Sequence, residues 1–209
     1  MSTDVVAALR RVKGPVPLLD RPAEEALTER QRQVLDSLHL VFAGGFAHLT
    51  MADMAAAASC SLRTLYELAP SKDELVRIVV DRHLWGIGRA ATGVVDDDMA
   101  PVDAIRAHLH AAHEAIAGMT EAFASDALNE PGTAAINAAH AQYLLDVTRA
   151  LLDHAVDRGD IAPMDTAALA RVLANVGADF ARPDVLPTLI SPPKEAADAV
   201  VDVILSGLR

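Results

Sequence analysis

The chain has 209 residues, 52% of them hydrophobic, so it is long enough to bury a core and too apolar for extensive disorder. Only 3% of residues are aromatic, so Ala, Leu, Val and Ile must fill that core, which favours packed helices over a β-sandwich. The formal net charge is −11, but residues 1–89 hold 11 Lys and Arg and 11 Asp and Glu, so the whole acidic surplus lies in residues 90–209. Residues 90–209 are therefore the part of the chain that is not expected to bind the phosphates of a nucleic acid.

The N-terminal segment, residues 1–21, is predicted to be a flexible arm. It carries Arg10, Arg11 and Lys13 close to Gly14 and two prolines, a pattern typical of a mobile terminus. A basic arm that contacts DNA is the alternative interpretation.

The first helix is predicted to begin at Glu24 or Thr28, with a start at Pro22 also possible, and to end near Ala43. Apolar residues recur through it at helical spacing. Thr28 and Gln31 have the spacing of a capping box, and two glycines after Ala43 are typical of a helix end.

Two short helices follow, Met51–Ala58 and Leu62–Leu68. Thr50 is predicted to cap the first and Ser61 the second, and Pro70 ends the second. Helices of this length are not stable alone, so they must pack on each other and on their neighbours. The pair therefore predicts a helix-turn-helix.

A long helix is predicted next, from a capping box at Ser71 and Glu74 through about Ala90. Segments rich in Gly and Pro divide the rest of the chain into five more helices. We expect these near residues 101–118, 120–129, 134–158, 166–181 and 194–207. No strand-like alternation stands out, so the fold class is expected to be all-α.

Several function classes lack their sequence signals. The single cysteine, Cys60, excludes an internal disulfide and a CxxC zinc pair. The N-terminus lacks the apolar stretch of a signal peptide, and no apolar run is long enough to span a membrane, so we expect a cytoplasmic protein. Glycine-rich phosphate loops, Gly-x-Ser-x-Gly and HExxH are missing, and Glu114 beside His113 points away from it on a helix, so we expect no enzyme and no cofactor.

Fifteen positions in the stretch from Thr28 to Leu75 share a distinctive order and spacing. They are Phe42, Gly45, Phe46, Thr50, Met54, Ala55, Ala58, Ser61, Thr64, Leu65, Tyr66, Ser71, Lys72, Glu74 and Leu75. In these residues the stretch resembles the N-terminal DNA-binding domain of the tetracycline-repressor (TetR) family. Ser59-Cys60 stands where the family usually has Gly-Val, and Ala69 where it usually has Phe. Ser59 is therefore expected to need a positive φ.

The resemblance implies an N-terminal three-helix helix-turn-helix domain at residues 22–71 and a helical ligand-binding and dimerisation domain at residues 72–209. It implies a homodimer, paired through the last two helices, on a palindromic double-stranded DNA operator. It further implies a repressor that a small-molecule effector releases. A regulator that binds DNA but no effector is the alternative, and a helical metal-binding or enzymatic protein is a more remote one.

The second short helix is expected to enter the major groove with its N-terminus first. Arg63 is the predicted base reader, because its planar fork can hold O6 and N7 of guanine together. Leu62 can meet a thymine methyl, and Thr64 can serve base or phosphate.

Four further residues are expected to contact the DNA backbone. Thr50 and Ser61 lie at helix N-termini, where free amides and the helix dipole favour a phosphate. Tyr66 and Lys72 resemble family residues that contact phosphates. Such contacts position the protein and make its binding salt-dependent.

An effector pocket is implied in the second domain, and its residues can only be nominated by size. The larger candidates are Trp85, His113, Phe123, Tyr143, Val147 and Phe180. The scarcity of aromatic rings favours an apolar, flexible effector over a flat cation.

The histidines raise the hypothesis of a metal site. His108, His110 and His113 lie on one predicted helix, and His140 and His154 on another. Only His110 and His113 share a face, and no carboxylate or cysteine completes an evident ligand set. Solvated or capping histidines are therefore expected, with no metal.

Overall fold

A computed structural model describes residues 5–208, and all their regular structure is helical. The helices within that range are α1 (Val5–Arg10), α2 (Arg21–Ala26), α3 (Glu29–Phe42), α4 (Met51–Ala57), α5 (Leu62–Leu68), α6 (Lys72–Gly93), α7 (Pro101–Ala117), α8 (Glu121–Asn129), α9 (Pro131–Arg158), α10 (Thr166–Phe180) and α11 (Pro193–Ser206), with a short 3-10 helix at Leu186–Thr188. The prediction of an all-α chain is confirmed.

Local capping sets the helix starts around the predicted helix-turn-helix. Thr28 caps α3 with a capping box. Its hydroxyl accepts from the backbone amide of Gln31, and the side-chain oxygen of Gln31 accepts from the backbone amide of Thr28. Asp20 caps the separate helix α2, whose first turn contains Pro22. The predicted start at Thr28 is confirmed for α3, and the earlier starts at Pro22 and Glu24 fall in a separate helix, because Thr28 in extended conformation begins a new one.

Helix α9 begins earlier than predicted, at Pro131 rather than at residue 134. Proline fits the first position of a helix, where the missing N–H has no partner to lose. The Pro-Gly pair at 131–132, interpreted from the sequence as a separator, instead lies inside the helix that it opens.

The chain forms two compact units, which we call the reader unit and the bundle unit. The reader unit comprises residues 15–86 and 119–139, and the bundle unit comprises the described residues among 1–14, 87–118 and 140–209. Helix α8, most of α6 and the first turns of α9 thus share a unit with the short helices α4 and α5. The division into two domains at residue 71 stays a prediction.

The reader unit has an aromatic centre within its aliphatic core. The rings of Phe42 and Phe46 lie 5.0 Å apart, and Phe123 of α8 meets Phe46 edge-on at 5.7 Å. His83 of α6 packs edge-on against Phe123 at 4.8 Å and stacks on His39 of α3 at 4.6 Å. Burial lowers the pKa of His83 to about 4, and the neighbouring His39 lowers it further.

The core of the bundle unit is aliphatic. Its fully buried larger side chains are Ile105, Leu109, Leu151, Leu152 and Leu173, joined by Val201 and Leu205 of α11.

No helix among residues 5–208 is long and apolar enough to cross a membrane.

Part of the predicted mobile arm is helical. Val5 at the start of α1 is buried in the core of the bundle unit, and the Val6 amide donates to the Asp97 carboxylate at 3.1 Å. Apolar residues of α1, including Leu9, pack against the same core, so residues 5–10 are anchored there rather than free. Residues 1–4 lie outside the described range.

Candidate nucleic-acid interface

Helices α4 and α5 are joined by a tight turn at residues 58–61. Ser59 in this turn has φ 51°, which confirms the positive φ expected where the family usually has glycine. The Cys60 amide donates to the carbonyl of Ala55 at 2.9 Å, and the Arg30 guanidinium of α3 donates to the carbonyl of Ser59 at 2.6 Å. These hydrogen bonds hold Ser59 in a backbone conformation that residues other than glycine adopt only under strain.

Helix α5 has one buried face and one exposed face. Leu65 is fully buried, whereas Leu62 is 45% exposed and Tyr66 55% exposed. Ser61 caps the helix by accepting from the Thr64 amide at 3.1 Å, and the hydroxyls of Ser61 and Thr64 are hydrogen-bonded at 2.9 Å. Both hydroxyls are therefore engaged at the helix start, and the outward groups are Leu62, Arg63 and Tyr66.

Arg63 is the most exposed cation of this face. Its side chain is 89% exposed, and its Nε donates to the carboxylate of Glu67, one turn further along, at 3.0 Å. Within residues 5–208 the two terminal nitrogens of Arg63 have no partner. The guanidinium edge that can meet two acceptors in a groove is thus open to solvent.

The start of α4 is closed by its own cap. The Thr50 hydroxyl accepts from the Asp53 amide at 3.2 Å, and the Asp53 carboxylate accepts from the Thr50 amide and hydroxyl at 2.9 and 2.6 Å. These hydrogen bonds hold the pKa of Asp53 below its usual range. A phosphate at this helix end would meet the following amides of Met51 and Ala52, since Asp53 occupies that of Thr50.

Lys72 opens α6 and lies at the base of the helix-turn-helix. Its ammonium donates to the carbonyl of Ala47 at 2.6 Å. The positive charge therefore lies between the loop after α3 and the start of α6. The roles predicted for Thr50, Ser61, Leu62, Arg63, Thr64, Tyr66 and Lys72 in DNA binding stay predictions.

The loop after α3 is also held by α8, a connection that sequence reasoning missed. The Asp126 carboxylate accepts from the amides of Phe46 and Ala47 at 2.5 and 2.9 Å. Thr120, the cap of α8, donates its hydroxyl to the carbonyl of Ala43. Gly45 turns the chain at φ 88°, with a position for Cβ only 3.1 Å from the Asp126 carboxylate. We call this set of contacts the α8 clamp.

The six candidates for an effector pocket are divided between the units. Trp85 and Phe123 belong to the reader unit, where Phe123 is part of the aromatic centre. The other four belong to the bundle unit: His113, Tyr143, Val147 and Phe180. Of these, Val147 is buried in the aliphatic core and Phe180 is partly exposed at the end of α10. Their assignment to a pocket stays a prediction.

The expectation of solvated or capping histidines is wrong for two residues of α7. His108 is buried and its Nδ1 lies 3.0 Å from the carbonyl of Ala91, while burial lowers its pKa to about 4. His113 is also buried, with Nδ1 2.7 Å from the Asp198 carboxylate of α11. Burial lowers the pKa of His113 even though Asp198 opposes the shift.

His110 lies on the same side of α7 as His113, and its Nε2 is 3.4 Å from the Asp202 carboxylate. The same two carboxylates form ion pairs with other cations: Asp198 with Lys194 at 2.7 Å and Asp202 with Arg106 at 2.8 Å. The part of the chain that the structure describes contains no group of three or more His, Cys, Asp or Glu able to hold a metal ion.

Comparison with known proteins places this architecture among solved structures. No family model matches the chain, and no curated protein matches it. It is similar to the TetR family transcriptional regulator PfmR from Thermus thermophilus, with 22% identity and a TM-score of 0.62 over 84% of this chain and 98% of that one. It is similar to a TetR transcription regulator from Haloarcula marismortui, with 15% identity and a TM-score of 0.73 over 87% and 99%. A putative fatty acid metabolism regulator from Clostridium perfringens matches with 18% identity and a TM-score of 0.65 over 85% and 98%. The fold is thus that of TetR-family regulators, along nearly their whole length.

Proposed function

We propose that this chain is a cytoplasmic DNA-binding transcriptional regulator that acts as a homodimer on a palindromic operator. The observation that carries the proposal is the exposed face of α5. Leu62, Arg63 and Tyr66 point outward from a helix whose opposite side, at Leu65, is fully buried in a helix-turn-helix. Apolar side chains and an unpaired guanidinium edge on one short exposed helix match the donor, acceptor and methyl groups of a major groove.

The backbone contacts of the proposed complex come from the elements around α5. The N-termini of α4 and α5 offer free amides to phosphates, and Lys72 supplies a cation at the loop that leads into α4. Residues 1–89 hold equal numbers of basic and acidic side chains, so this approach depends on the cations around α5 rather than on net charge.

The proposed dimer uses the outward faces of α10 and α11. Val203 is 75% exposed on α11, and Ala196 and Val200 continue its stripe at helical spacing. Val172 is similarly exposed on α10. Analytical sedimentation should give a dimer for the native chain and a monomer for Val203→Glu. A carboxylate buried in the dimer contact would lose its water without gaining a hydrogen-bond partner. A dimer that tolerates Val203→Glu would place the contact elsewhere.

We further propose that a small molecule releases the protein from DNA, which makes it a repressor. A ligand can do this only by binding one conformation better than the other. The α8 clamp supports this, since α8 and the loop after α3 are joined by hydrogen bonds that a shift of α8 would break. The four pocket candidates of the bundle unit, His113, Tyr143, Val147 and Phe180, remain the proposed lining, for an apolar and flexible effector.

The test of DNA binding is selection from a pool of random-sequence duplexes, followed by affinity measurements across a range of salt concentrations. The native protein should enrich one palindromic motif, and its affinity should fall steeply with salt. Arg63→Ala should blur one base pair in each half-site, at a cost of about 1–3 kcal/mol of discrimination. Arg149→Ala is the matched control, since Arg149 is also an exposed arginine that pairs with an acid one turn later, at 3.6 Å from Asp153 on α9. Weak binding without an enriched motif would overturn the proposal.

A further inference from the structure

The recognition face of α5 carries an acidic residue that the proposed DNA contacts leave unexplained. Glu67 is half-exposed beside Tyr66 and Arg63, on the face that would meet the groove. A carboxylate there repels phosphates, so on charge alone it weakens binding to any DNA. Its contact with Arg63 gives it a second effect.

The contact fixes one edge of the guanidinium and leaves the other open. Glu67 accepts from Nε of Arg63 at 3.0 Å, so the remaining donors of Arg63 are the two terminal nitrogens. Those two nitrogens form the fork that matches O6 and N7 of guanine. A free arginine has many rotamers and can also turn toward a phosphate, whereas an arginine anchored at Nε has fewer orientations to lose on binding.

We propose that Glu67 is a positioning residue that sets the sequence specificity of Arg63. It orients the guanidinium fork toward guanine, whereas its repulsion of phosphates acts on every duplex alike. Specificity is a difference between two affinities, so an orientation that strengthens only the guanine contact raises it, and a uniform repulsion cancels. This inference rests on the proposed DNA-binding function.

The partner chemistry follows from the geometry. The base pair read by Arg63 is a G·C pair with the guanine edge toward α5, because O6 and N7 are the acceptor pair that the fork matches. In water an exposed pair of this kind changes an equilibrium by only about 1.4- to 2.3-fold. The expected effect on specificity is correspondingly modest, and it should appear at one base pair only.

The experiment compares duplexes that carry the selected motif with duplexes changed to each other base pair at the position that Arg63→Ala blurs. Glu67→Ala should lower the preference for guanine there by about 1.4- to 2.3-fold for each half-site, the value of an i,i+4 ion pair. It should also strengthen binding to a scrambled duplex and steepen the salt dependence by up to about one unit of slope. Glu67→Gln keeps an acceptor for Nε, so it should retain more of the guanine preference than Glu67→Ala does.

Two controls separate this role from a structural one. Glu25→Ala removes an exposed ion pair of the same kind, with Arg21 at 2.7 Å on α2, and should leave base preference unchanged. The double variant Arg63→Ala/Glu67→Ala should discriminate no less than Arg63→Ala alone, because Glu67 acts through Arg63. A merely structural Glu67 would instead lower the unfolding temperature and leave the order and ratio of base preferences unaltered.

The outcomes of the proposed function and of this inference are distinct. If the native protein enriches no motif, DNA recognition itself has failed. If a motif emerges and Arg63→Ala blurs a guanine that Glu67→Ala leaves intact, DNA recognition stands and the role of Glu67 is refuted. Loss of preference at a different base pair in Glu67→Ala, as from a direct contact with cytosine N4, would refute it as well.

Discussion

Two glycines in helix interiors should respond to the same substitution with opposite signs. A Cβ on Gly177 of α10 would lie 2.5 Å from Cδ2 and 3.1 Å from Nε2 of the buried His113 ring. That ring is held at its Nδ1 by the Asp198 carboxylate at 2.7 Å, so it cannot move aside without disturbing the bond. A Cβ on Gly86 of α6 would meet no atom within 4 Å.

Gly86→Ala should therefore stabilise the protein by about 0.5–1 kcal/mol through backbone entropy alone. Gly177→Ala gains the same term but overpacks the contact of α10 with α7, which costs about 1–3 kcal/mol, with a further penalty if the bond between His113 and Asp198 breaks. The two variants should differ by roughly 1–3 kcal/mol in unfolding free energy. Urea unfolding followed by far-UV circular dichroism at a fixed protein concentration measures the difference. Equal stability of the two variants would show that the ring of His113 does not lie against Gly177.

Three further predictions concern the turn, the α8 clamp and acid stability. Ser59→Gly should raise the unfolding free energy by up to about 1 kcal/mol, because only glycine adopts the positive φ without strain. Ser59→Ala should not raise it, and an equal gain for alanine would argue against strain at this position. Asp126→Ala should lower the unfolding free energy by about 1–3 kcal/mol, because it leaves the backbone amides of Phe46 and Ala47 without their acceptor. Unchanged rates of hydrogen exchange at these two amides would contradict the α8 clamp. Burial lowers the pKa of His108 from 6.5 to about 4, so its neutral form stabilises the fold above pH 6.5 and that stability is lost at about 1.4 kcal/mol per unit as pH falls toward 4. His108→Asn, measured by urea unfolding at pH 7 and pH 5.5, should lose only the share of the acid slope that belongs to His108, because His83 also has a pKa of about 4 and keeps its own share. An unchanged acid slope would count against a buried neutral imidazole at position 108.

Features controlled by residues within one helical turn could be predicted from the sequence. The boxes at Thr28 and Thr50 and the cap at Ser61 each depend on a partner three positions away, and each forms as expected. The positive φ of Ser59 could be expected because the residue replaces a glycine at a position where the chain must turn sharply.

Contacts between distant residues gave no comparable signal. Asp126 binds the amides of a loop that lies about 80 positions earlier in the chain, and His113 meets Asp198, which is 85 positions later. Neither pair is visible in local periodicity. The grouping of α8 with α4 and α5 in one unit was therefore not visible in the sequence, and the division into domains at residue 71 stays a prediction.

The burial of His108 could have been found from the sequence. Ile105, Leu109 and Ala112 have the helical spacing of a buried face, and His108 falls within that same face. Its polar ring favoured the interpretation of a solvated residue. The hydrogen bond to the carbonyl of Ala91 makes burial tolerable, and no spacing rule reveals that bond.

A competition measurement shows whether α5 reads a specific DNA sequence. The native protein is bound to a duplex carrying its selected motif and challenged with a scrambled duplex of the same composition at physiological salt. We expect a preference of about a thousandfold or more for the motif, and a preference reduced by about 5- to 150-fold for each half-site in Arg63→Ala. Equal affinity for the two duplexes, or a preference that Arg63→Ala leaves intact, would contradict it.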